Sequence, residues 1–156
     1  PLPFSELDES YPLINGRGYP DTVASAPVVN SKVQEVLGLE DPYPSQKIDS
    51  RIVATAGQRI LLRLSNVSLS DFHTVTVLGI PMRVIGKDAK LLRGPTGLDL
   101  SYETTSITIG AGETADVILD TAGVAPGTYF LYDARLNHLC NDEEDFGGMM
   151  TEIIVQ

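Results

Sequence analysis

Apolar residues along this chain come in short runs, and in several of them apolar and polar positions alternate. In "QRILLRLSN", Ile60, Leu62 and Leu64 share one face with a period of two, and in "TTSITIG" Ile107 and Ile109 share another. The pattern predicts strands at "RIVAT", "QRILLRLSNV", "FHTVTVLG", "MRVIG", "TTSITIG", "TADVILD", "TYFLYDA" and "TEIIVQ". The links between them, "TAG", "LGIP", "GAGE" and "AGVAPG", are rich in Gly and Pro and read as turns. Short strands at this spacing predict an all-β, antiparallel Greek-key β-sandwich. "HTVTV" and "TYFLYDA" are expected as neighbours, because their apolar faces then meet one core. One stretch departs from the pattern. In "NSKVQEVLG", Ser31 and Gln34 form a capping box, Val33, Val36 and Leu37 are apolar, and Gly38 is a stop. That predicts one short surface helix, followed by a loop at "EDPYPSQ".

Composition narrows the functional classes. A chain of 156 residues with 42% apolar residues is long enough to bury one core, so a single domain over 1–156 is expected. The net charge of -10 argues against nucleic acid, which selects a basic face. No apolar run is long enough to span a membrane. The opening "PLPFSELDES" has neither a basic region nor an apolar stretch, so no signal peptide is expected in it. The first residue is Pro1 rather than Met, which suggests processing or excision from a larger protein. Cys140 is the single cysteine and forbids an intrachain disulfide. "GAGETAD" lacks the Lys of a phosphate-binding loop, and "NDEED" lacks the alternating ligands and bend glycine of a calcium loop. The hydroxyls of "HTVTV" come without a nucleophile elbow or a Ser/His/Asp order.

The two histidines are where the chemistry concentrates. His73 heads the "HTVTV" run, and His138 sits in "DARLNHLCNDEEDFGGMM". Four stretches place them in a frame: "YPLINGRGYPDT", "AGQRILLRLSNVSLSDFHTVTVLGIPMRVIGKD", "TTSITIGAGETADVILD" and "PGTYFLYDARLNH…GGMMTEIIV". Together, in order and spacing, they resemble a cupredoxin domain of a multicopper oxidase of the laccase kind. They look most like its copper-free middle domain. The segment at about 28–48 then looks like an insertion.

The resemblance implies two copper motifs, H-P-x-H-x-H-G and H-C-H-x-x-x-H with a Met downstream. The first His of the first motif, with the Cys and last His of the second, would serve a type 1 copper. The other four histidines would serve a trinuclear cluster shared with another domain. On "HTVTVLG", His73 and Gly79 match, while Thr76 and Leu78 stand where cluster histidines would be. On "YDARLNH", Tyr132 and Ala134 stand at the other two cluster positions, Asp133 replaces the Cys, and His138 matches. Hydroxyl, phenol and alkyl groups replace imidazole poorly on copper. Strand parity sets His73 with Val75 and Val77, and Thr76 with Leu78 on the opposite face. Asp133 is a hard oxygen donor, suited to zinc or Cu(II) rather than to a blue site. Buried without a cation its pKa would rise, so it needs a partner such as His138. The position of the family's axial Met holds Glu143, and "LCNDEEDF" looks like an insertion that delays "GGMM". The metal-ligand candidates are thus His73, His138, Asp133, Cys140 and Met150, with Met149 beside it.

Two functional expectations follow. In the first, the chain is a structural, interdomain module of a copper-dependent oxidoreductase. It has no activity alone, and its partners are other cupredoxin domains of the same oxidase or copies of itself. The imidazoles are then vestigial buried hydrogen-bond partners, Cys140 a filler or loop thiol, and the methionines core. In the second, it is a mononuclear cupredoxin for electron transfer or metal storage, with copper, or alternatively zinc, on His73 and His138. The resemblance also implies a periplasmic or extracellular setting.

Overall fold

A computed structural model describes residues 3, 9–25, 28–29, 44–46, 48–142 and 144–156. The chain forms two facing sheets. The first contains β4 (Arg59–Ser65), β6 (Met82–Lys87), β7 (Lys90–Leu91), β8 (Tyr102–Thr104) and β10 (Thr114–Asp120), in the order β4-β10-β6-β7 with β8 also on β6. The second contains β3 (Ile52–Ala54), β5 (His73–Val77), β9 (Ser106–Ile109), β11 (Gly127–Asp133) and β14 (Met150–Val155), in the order β3-β14-β11-β5-β9. Alternation drives this arrangement. Leu62, Val75, Val77, Met82, Val84, Ile107, Ile109, Val117, Leu119, Leu131 and Ile153 turn inward and make one core. The all-β sandwich expected from the pattern is therefore present, and "HTVTV" and "TYFLYDA" do pair: Thr76 lies opposite Tyr132, and Val75 opposite Asp133.

Three details differ from expectation. The sandwich is not wholly antiparallel, because β14 pairs with β3 in parallel, Ile154 opposite Val53. Local alternation says which face of a strand is buried, not which way its neighbour runs. The loop expected at 40–46 contains a strand instead: β2 (Pro44–Gln46) pairs with β1 (Val28–Val29) in a small ribbon. Pro44 is the first residue of β2, where a missing N–H is tolerated. The acidic loop also carries a two-stranded ribbon, β12 (Cys140–Asn141) on β13 (Glu144–Asp145). The helix expected at 31–38 lies outside the described residues.

Two ends of the second sheet matter for the site. β5 begins at His73, and β11 ends at Asp133, whose N–H donates to the Met149 carbonyl (3.0 Å). Just beyond, a single 3-10 turn, Leu136–His138, folds His138 back over the ends of these strands.

Candidate functional site

Parity places the first two groups. β5 is buried at alternate positions from His73 to Val77, and β11 turns Leu131 and Asp133 inward. Antiparallel pairing of the two strands brings His73 and Asp133 together at one end of the core. The third group depends on the turn. The His138 N–H donates to the Arg135 carbonyl (2.8 Å), closing the turn that points its ring inward. All three are buried: 9% exposed for His73, 0% for Asp133 and 3% for His138.

Their contacts are short and specific. Asp133 Oδ2 lies 2.8 Å from His73 Nδ1 and 2.6 Å from His138 Nδ1. Oδ1 of the same carboxylate accepts from the Thr74 N–H (3.1 Å) and the Arg135 N–H (3.0 Å). The rings stand 5.0 Å apart, centroid to centroid, tilted by 60°. Burial by itself would raise the Asp133 pKa. The Arg135 amide, the His138 and His73 imidazoles and the Thr74 amide outweigh it, so the carboxyl sits below its ordinary value of 3.8. The expected need for a partner is thus met by both histidines and two amides. An ionised carboxylate only accepts, so each Nδ1 carries a proton.

The site extends to a residue absent from the expectations. Asp71 Oδ2 lies 3.4 Å from His138 Nε2, and Asp71 Oδ1 accepts from Arg135 Nη1 (3.1 Å). Asn66 holds this loop in place. Its amide nitrogen donates to the carbonyls of Asp71 and Ile109 (both 2.9 Å), and its Oδ1 accepts from the Ser68 N–H (2.9 Å) and hydroxyl (2.7 Å). Asp71 stands in "SDFH", two residues before His73, but alternation counted from the strand carries no information about a loop.

The remaining candidates lie apart. Cys140 is outside the His73–Asp133–His138 group, and its thiol donates to the Asn137 carbonyl (2.9 Å). Met150 starts β14 on the face opposite to buried Thr151 and Ile153, so it does not face the site. The buried methionine of the pair is Met149, which lines a cleft of about 210 Å³ with His73 and Ile109. Glu143 lies outside the described residues.

The family model of multicopper oxidases (Cu-oxidase) matches residues 9–156. The chain belongs to the multicopper oxidase family. It is 29% identical over 117 residues to Laccase-5 of Arabidopsis thaliana, a match covering 74% of this chain and 18% of that protein. The blue copper oxidase of Nitrosomonas europaea superposes with a TM-score of 0.58 at 28% identity, over 67% of this chain and 30% of that one. The multicopper oxidase mgLAC shares the fold, with a TM-score of 0.56 at 23% identity over 68% of this chain and 31% of its own. The chain therefore spans less than a third of the length of these relatives.

Membership of this family raises copper, and the donor set can be tested against it. The candidate ligand atoms of His73, Asp133 and His138 lie within 4.8 Å of one another. A tetrahedral ion with bonds of about 2.0–2.1 Å holds its donors about 3.3 Å apart. Here Oδ2 is only 2.6 and 2.8 Å from the two nitrogens, which is hydrogen-bond spacing. The carboxylate offers about four acceptor directions, and four N–H groups occupy them. Both Nδ1 lone pairs are used up by protons aimed at that carboxylate. This arrangement is a hydrogen-bonded clamp, and an ion held by the same three atoms would have to open it.

Proposed function

We propose that this chain is a copper-free domain of a multicopper oxidase, the middle one of three, and that it serves as a structural module between copper-bearing domains. The observation that supports this most is the mutual hydrogen bonding of His73, Asp133 and His138, which commits both Nδ1 atoms and the shared carboxylate oxygen to one another. The trinuclear positions agree with the reading. Thr76 and Tyr132 are opposed across β5 and β11, and Leu78 and Ala134 are exposed. None of the four side chains offers an imidazole or thiolate to copper. The parent enzyme is a copper-dependent oxidoreductase that acts outside the cytoplasm. Among the described residues no helix is long and apolar enough to cross a membrane.

A module of this kind needs a surface for its neighbours. An apolar cleft of about 600 Å³ opens between the edge strands β3 and β4, reaching down to Val75 and Leu131. Leu13, Leu61 and Val67 stand at its rim and are exposed. Apolar edges of this sort are what a packed neighbouring domain covers.

The second reading is a mononuclear copper or zinc cupredoxin. It is favoured by one observation, the grouping of the three donors within 4.8 Å. Oxygen uptake tests the first reading. Copper-loaded chain, supplied with a phenol or an oxidisable metal ion, is expected to consume no oxygen above free-copper controls. Turnover that depends on the chain and copper would contradict the copper-free module.

A further inference from the structure

We infer that the Asp133 carboxylate does the work of a metal ion at this end of the sandwich and keeps metal out of it. The inference rests on the copper-free reading and adds a cause for it.

The geometry assigns the role. A metal at this point would cross-link the start of β5, the end of β11 and the turn that carries His138. Asp133 cross-links the same three pieces. Through Oδ2 it holds His73 of β5 and His138 of the turn, and through Oδ1 it holds the amides of Thr74 and Arg135. It is fully buried, with its four acceptor directions taken by four N–H groups. A carboxylate left with fewer partners at this depth would be destabilising, so the four bonds are what make the buried charge tolerable.

Exclusion of metal follows from the same bonds. For an ion to bind through Nδ1 and Oδ2, both Nδ1 atoms must lose their protons, and the Nδ1–Oδ2 distances must open from 2.8 and 2.6 Å towards about 3.3 Å. The site is closed by its own oxygen. Removing that oxygen leaves two imidazoles facing a vacancy, with rings 5.0 Å apart and Nδ1 atoms no longer committed to an acceptor. Two imidazoles plus water are a recognised start for zinc or copper binding. The closing group is therefore also the switch between a clamp and a metal site.

The test is thermal unfolding of the whole chain with chelator, with zinc and with copper, for the native protein, Asp133→Ala and Asp133→Ala/His73→Ala. The native Tm is expected to be the same in all three conditions. Asp133→Ala is expected to melt about 10 °C lower in chelator, and zinc should recover part of that shift. The recovery should vanish when His73 is also replaced. A native Tm raised by metal in a His73-dependent way would overturn both this inference and the copper-free reading. A native Tm indifferent to metal, with no His73-dependent recovery in Asp133→Ala, would overturn the inference alone. A second measurement stands if Asp133→Ala does not fold. Nitrogen-15 NMR of the native protein should show Nδ1–H on both His73 and His138, and Nδ1 without a proton on either ring would overturn the clamp.

Discussion

Asp133 is the residue on which the site turns. A carboxylate whose native pKa is depressed stabilises the fold above its unfolded pKa, about 3.9, and that contribution is lost as pH falls through the native value. The depression here has named donors: the Arg135 amide, His138, His73 and the Thr74 amide. Asp133→Asn keeps the size of the side chain but turns acceptors into donors facing N–H groups. It is expected to cost about 3 kcal/mol at neutral pH, as for a buried charge network missing one member. The sign gives a second expectation. The stability gap between native and Asp133→Asn should hold from about pH 7 to 5 and shrink as pH drops below about 4. Urea titrations at a series of pH values would read it, and a gap unchanged down to about pH 2 would mean that Asp133 is not ionised in the fold. His73 was legible as inward-facing from strand parity, and Asp133 from the family motif laid on "YDARLNH". Asp71 was not, because it acts from a loop.

Among the elements, the acidic loop and its glycines hold the site closed. Asn141 is a bolt rather than a solvated loop residue: it donates to the Tyr19 carbonyl (3.0 Å), and its Oδ1 accepts from the Gly148 N–H (3.0 Å). Gly148 has φ +63° and sits so close that a Cβ would lie 2.1 Å from the His138 carbonyl oxygen. That same carbonyl accepts from the Met149 N–H (2.9 Å), which ties the His138 turn to the entry of β14. Gly148→Ala must therefore move the turn or the strand, at a cost of about 3 kcal/mol or more. The expected result is a lowered Tm together with a shifted His138 ring resonance. A folded variant with His138 undisturbed would show that the turn does not depend on this contact. The long strands of this region were legible, since their alternation is strong. The two-residue ribbons were not, because two residues carry no period, and the parallel β3–β14 pair was not, because direction depends on how the chain returns.

At the scale of the whole molecule, the family and the sandwich were readable because order, spacing and turn residues agree over most of the chain. Function was readable only as far as the site positions allowed. Whether a His–His–carboxylate set holds an ion depends on tenths of an ångström and on where protons sit, and a residue list contains neither. The chain covers 18% of Laccase-5 and 30% of the blue copper oxidase, and the function proposed for it is that of a part within a larger enzyme. The apolar cleft between β3 and β4 is the face proposed for its neighbours. Whether the native chain carries copper is read by elemental analysis of the purified protein, before and after dialysis against copper. Copper and zinc well below one per chain are expected in both samples, with no visible absorption band after copper is added. One copper or zinc per chain, retained through chelator and lost with His73→Ala or His138→Ala, would contradict the copper-free reading.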